Sequence, residues 1–256
     1  MGTKPTKARP QVAPFHLPKA IAGSLRRHTK AAAEGKEEVS TPLKYVWIYL
    51  CETHCARGGG EPAPARMTLE DWLNVVDESA ALGAESIFIS VETRLSEWPE
   101  LWKIAHWAQE THDMLVAICV NESCLSDDQL HELTQLDHDK TRIYVTRDNL
   151  ESMRYIERFG YKVYVGEVLE VGAVQKACSM PESMLCIGPE GAMYTCGLVL
   201  NDDHYLLGHA CSQQFESVMG DHSLPHIIPE GIAVTERRCH ACPPLMEKRL
   251  EEQSGA

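Results

Sequence analysis

No apolar run in this chain approaches the roughly twenty residues that a membrane-spanning helix needs, and the first forty residues lack the apolar stretch of a secretory signal. The expectation is a cytoplasmic protein with no membrane contact. Aromatic residues are sparse at 7%, and positive charge is short, with a formal net charge of −13. Beyond residue 40, sixteen Lys and Arg face thirty-four Asp and Glu. A body of that sign repels phosphate, so nucleic acid is excluded as an expected partner. Also missing are a P-loop, GxSxG, HExxH and GxGxxG, and with them the reaction classes those motifs mark.

What the chain does have is cysteine, ten in all, several in paired CxxxC and CxxC spacing. In a reducing compartment such spacing reads as metal or cluster ligation rather than a disulfide framework. With 44% hydrophobic residues in 256, the chain can bury one large core and a small appendage. Residues 1–40 hold eight Lys or Arg against three Glu among many Pro and Ala, and read as a disordered basic arm suited to an acidic partner.

From residue 45 onward, short apolar strands alternate with amphipathic helices, the pattern of a parallel sheet covered by helices. YVWIYL is the first strand. A helix capped by Thr68 with Asp71 three positions on ends at Gly83. SIFISV, helix 98–112, LVAICV, helix 127–137 behind Ser126, RIYV, helix 149–159 before Gly160, and YKVYV follow. The predicted fold is α/β, a partial (β/α) barrel of about five to six units over residues 41–175, with a small cysteine-rich domain at 176–256. Chemistry in such folds gathers at the carboxyl ends of the strands. Those ends carry Cys51 and Cys55, Glu92, Asn121 and Glu122, Arg147 and Glu167.

The second cysteine group begins in CSMPESMLCIGPEGAMYTC and closes in CHAC, giving Cys178, Cys196, Cys239 and Cys242. Gly191 in PEG is a turn signal between MLCI and AMYT, so the stretch reads as a hairpin that draws Cys178 and Cys196 towards each other. Four thiolates suit tetrahedral zinc or a cubane cluster, and the residues alone leave both open. Cys186 and Cys119 lie inside apolar strands and read as core. Cys124 reads as a loop thiol, and His240 as a spacer within CHAC.

Cys, twelve residues, Gly191, four residues and Cys196 resembles the opening of the SPASM or twitch domain of radical S-adenosylmethionine (radical SAM) enzymes. YLLGHACSQQFESVMGDHSLPHI is similar to the linker of that domain, a strand followed by a short helix and a Leu-Pro turn. The likeness covers residues 176 to about 245, and implies one auxiliary [4Fe-4S] cluster held by Cys178, Cys196, Cys239 and Cys242. Cys211 falls where the family places no ligand.

YLCETHCARGGG, at the end of the first strand, resembles the radical SAM loop CxxxCxxC. In that family three thiolates hold three irons of a [4Fe-4S] cluster, and the fourth iron takes the amino and carboxylate groups of S-adenosylmethionine. Cys51 and Cys55 match, but Gly58 stands at the third position and offers no ligating atom. The GGE-type motif after the second strand is represented here by SVETRL, in which Glu92 matches the glutamate and both glycines are absent. Val91 is expected to hinder the close backbone approach that glycine allows. The resemblance therefore implies an iron-sulfur protein with a degenerate S-adenosylmethionine site, serving electron transfer or substrate presentation to a redox, peptide, small-molecule or protein partner. Two other readings stand beside it: an active radical SAM enzyme modifying a peptide or small molecule, and a zinc-stapled scaffold.

Overall fold

The computed structural model describes residues 43–50, 65–165, 172–173, 180–230, 233–234 and 242–243. Five strands alternate with helices: β1 (Tyr45–Leu50), β2 (Ser86–Val91), β3 (Leu115–Val120), β4 (Thr141–Val145) and β5 (Lys162–Val165). All pair in parallel in chain order. α1 (Leu69–Ala81) starts from a capping box in which the Thr68 hydroxyl accepts from the Asp71 N–H while the Asp71 carboxylate takes the Thr68 N–H. α2 spans Glu100–His112 and α3 spans Asp127–Leu133, the latter from a second capping box between Ser126 and Gln129. Gly83 and Gly160 close their elements with φ of +93° and +89°, which glycine adopts without the clash a Cβ brings.

Two helices differ from the periodicity reading. α3 stops before Thr134, whose hydroxyl donates to the carbonyl of His131, a local bond that competes with helix continuation. Residues 147–159 form a 3₁₀ turn, a single α turn α4 (Leu150–Met153) and a longer 3₁₀ run, Arg154–Phe159. Leu150, Met153 and Ile156 supply its apolar contacts at a spacing of three, which lines up on a 3₁₀ helix rather than on an α-helix.

Among the described residues no strand extends the sheet beyond β5. β7 (Met184–Ile187) lies parallel beside β1, and β8 (Ala192–Tyr194) and β9 (Leu206–His209) continue antiparallel, giving the order β5-β4-β3-β2-β1-β7-β8-β9. MLCI is buried throughout, as expected of a strand flanked by partners on both edges. The β7–β8 turn is the hairpin read from PEG, with Gly191 at φ +90°. Two short strands, β6 (Gly172–Ala173) and β10 (Ala233–Val234), pair antiparallel with each other.

Period-two alternation gives the sheet two unlike faces. Val46, Ile48, Leu50, Ile87, Ile89, Ile118, Ile143 and Ile187 pack with the helices, including α5 (Phe215–Gly220), in one large hydrophobic core. Tyr45, Trp47, Tyr49, Phe88, Tyr144, Cys186 and Tyr194 occupy the other face with Cys196, Val199, Leu200 and Ile228.

Candidate functional site

On the second face the carboxyl ends of β1 and β2 are joined by side chains. The Trp47 indole Nε1 donates to Ser90 Oγ at 2.8 Å, entirely within the core. The Tyr49 hydroxyl donates to the Glu92 carboxylate, and the Glu92 N–H donates to the Leu50 carbonyl at 3.0 Å. Glu92 is exposed and stands where β1 leaves for the Cys51 loop. Val91, in contrast, is buried among the helix-side residues. Glu92 and Tyr49 belong to the second face.

Of the predicted ligands, Cys196 and Cys242 are described, while Cys51, Cys55, Cys178 and Cys239 lie outside the described residues, as do Gly58, Glu167 and His240. Cys196 is 8% exposed, Cys242 is half-buried, and both pack on the same aromatic group. Next to Cys196, Gly197 lies flat against Trp47: a Cβ there would stand 2.5 Å from the indole ring. Because Ser90 holds that indole, the closeness of Gly197 fixes where Cys196 stands.

The remaining thiols separate as read. Cys186 is fully buried in β7 and Cys124 is exposed. Cys119 lies half-buried in β3, and burial pushes its thiol up to about 12, countered in part by a hydrogen bond with Ser90, so it stays a neutral thiol. Cys211 is exposed beside the start of α1, where desolvation and the Asp71 carboxylate both raise its thiol and so disfavour a thiolate nucleophile. Of the other strand-end residues, Glu122 accepts from the Leu95 N–H at 2.8 Å and thereby fixes the loop after β2, while Asn121 and Arg147 are exposed. Among the described residues one group of possible hard-metal ligands gathers within 4.8 Å, Asp137, His138 and Asp139, all exposed in the turn before β4.

Tyr49, Ser90, Tyr144 and Tyr164 were not singled out from the sequence. Their signal was present: YVWIYL, RIYV and KVYV place aromatics at period two, so each contributes to the same face.

No family model and no curated protein matches the sequence. Solved structures do. With Streptococcus suis SuiB bound to S-adenosylmethionine the chain shares 12% identity and a TM-score of 0.54, over 79% of this chain and 72% of that one. With BtrN in complex with AdoMet and 2-DOIA it shares 13% identity and a TM-score of 0.50, over 70% and 83%. The chain shares the fold of these two proteins. At such identities the likeness extends to the fold alone, which agrees with the expected α/β class and its run of parallel strands. Among the described residues no helix is long and apolar enough to cross a membrane.

Proposed function

We propose that this chain is an iron-sulfur-cluster-binding protein on a radical-SAM-like fold, with one auxiliary [4Fe-4S] cluster held by Cys178, Cys196, Cys239 and Cys242. Bound there, the cluster supplies one-electron chemistry. The observation that supports the reading is that Cys196 and Cys242 both pack with the aromatic cluster on the face of the sheet whose first strand, β1, leads into Cys51 and Cys55. Soft thiolates in apolar surroundings fit a sulfide cluster. The Cys51 and Cys55 loop is read as degenerate because Gly58 supplies no third thiolate. The role that follows is electron transfer or presentation of a substrate to a redox or protein partner.

Anaerobically purified protein is expected to hold about four iron and four sulfide per chain, as one cubane requires. Stoichiometric zinc without labile sulfide would replace this reading by the zinc-stapled scaffold. Full iron occupancy in a Cys196→Ala, Cys239→Ala double variant would remove the ligand assignment.

One observation favours a working radical SAM enzyme instead: Glu92, matched to the family's glutamate, is held at the end of β1 by the Tyr49 hydroxyl. Reduction of the anaerobic protein with dithionite in the presence of S-adenosylmethionine separates the two readings. The degenerate site yields no 5′-deoxyadenosine, whereas catalytic yield that vanishes in Cys51→Ala establishes the enzyme.

A further inference from the structure

The part of the second face formed by β4 and β5 holds a polar group that no other element uses. Tyr144 is 4% exposed, yet its hydroxyl has no hydrogen-bond partner. A buried hydroxyl in that condition destabilises the fold unless something else supplies an acceptor. Its ring stacks on Tyr164 with centroids 5.3 Å apart and planes at 28°, and lies 6.5 Å from Phe88 on the other side. Tyr164 is half-buried, on the short strand β5 at the end of the sheet, and is the freer ring of the pair.

Two cations share this patch. Register pairs Tyr144 with Tyr164 and Arg142 with Lys162, and the period of two puts all four on one face. Arg142 is half-buried and Lys162 exposed, and among the described residues neither is ion-paired with a carboxylate. Arg142 Nη1 donates to the Asp139 and Thr141 carbonyls, which anchors the guanidinium without neutralising it. Burial pushes both phenols upward, while the Arg142 charge acts on each in the opposite sense, so it lies within electrostatic reach of the stacked pair. In a chain of net charge −13, two uncompensated cations beside an unpartnered phenol are an exception to the general sign.

We propose that this patch binds a planar carboxylate, an aromatic ring bearing one carboxyl group: the ring lies on Tyr164, the carboxylate meets Arg142 and Lys162, and the Tyr144 hydroxyl donates to it. Stacking selects the flat ring and the cations select the anion. Rotation of Tyr164 on its end strand opens the Tyr144 hydroxyl to the ligand. No thiolate takes part, so the site stands whether or not the cysteines hold iron.

The test is titration of the full chain with benzoate, read by calorimetry, alongside neutral benzamide and inorganic phosphate. Saturable one-to-one benzoate binding is expected, with benzamide and phosphate at least about tenfold weaker, since each lacks the charge or the plane. Tyr144→Phe is expected to weaken benzoate about tenfold, the usual scale for a hydrogen bond to a charged group. It should leave the thermal midpoint unchanged or raised, because it removes an unpartnered hydroxyl. Lys162→Ala, at an exposed position, gives a second loss. Absence of saturable binding, equal binding of benzamide or phosphate, or unaltered affinity in Tyr144→Phe overturns the proposal. So does a clear fall in the thermal midpoint of Tyr144→Phe, which would mean that the hydroxyl already has a partner.

Discussion

The two faces of the sheet are built from the same strands, and their differences follow from what covers them. On the helix side the strands contribute aliphatic residues, with Val46, Ile48, Ile87, Ile89 and Ile118 fully buried in one cluster with Leu101 and Ile104 of α2. It stabilises chiefly by area removed from water, with a few directional bonds such as that from the Phe215 N–H to Glu78. The opposite side is aromatic, covered by irregular chain from the carboxyl-terminal part, and laced with specific bonds such as Trp47 to Ser90 and Tyr49 to Glu92. The first face holds the fold together, and the second holds groups in place.

That division can be broken most forcefully on the helix side. Leu101→Ala should cost about 2–5 kcal/mol in denaturant unfolding, as large-to-small core changes do, yet leave the iron per folded chain unchanged. On the second face the expected pattern reverses. Gly197→Ala drives a Cβ into the Trp47 indole that Ser90 holds, and should cost about 1–3 kcal/mol while lowering bound iron, because Cys196 moves with it. Equal iron in both variants would mean that the faces do not differ in this way.

A smaller effect probes one bond. Ser90→Ala leaves the Trp47 N–H buried without its acceptor and should cost about 1–3 kcal/mol, with a change in the near-ultraviolet circular dichroism of the indole. If neither moves, the bond contributes nothing to holding that face.

The smallest effect concerns pH and belongs to the helix side. Burial pushes the Glu78 carboxyl above its ordinary 4.5, although the Phe215 N–H that it accepts draws it partly back. A carboxyl raised on folding contributes most below its ordinary value, and that contribution is lost as pH rises through the folded value. Glu78→Gln keeps an acceptor for Phe215 and should flatten this decline between acid and neutral pH in urea midpoints. Asp71 acts in the opposite sense: its bonds from Thr68 hold its carboxyl below the ordinary 3.8, so its contribution exists above that value and disappears as pH falls through the folded one. An unaltered slope in Glu78→Gln would remove Glu78 as its source.

Much of the helix side was legible in the sequence because its signals are local. Thr68 and Ser126 caps, the Gly83 and Gly160 stops and the runs SIFISV and LVAICV act within a few residues of themselves, and each element begins or ends near where it was expected. The second face was less legible. Whether Val91 or Glu92 lies on the second face depends on strand parity set by the whole sheet, and the pairing of MLCI with β1 depends on where a distant strand finds a free edge. The spacing singled out Cys196 as a candidate ligand, but the close packing of its neighbour Gly197 on Trp47 required the fold.

The placement of β7 also sets an order in time. β1 gains its first neighbour, β2, soon after synthesis, but its other edge pairs with Met184–Ile187, more than half the chain later. Until that segment leaves the ribosome, YVWIYL presents an open, apolar strand edge, the kind that templates pairing with other chains. Contacts so distant in sequence also slow folding. A nascent chain stopped just after β5 is therefore the form of this protein most exposed to aggregation, although, among the described residues, every helix on that side of the sheet except α5 has already been made.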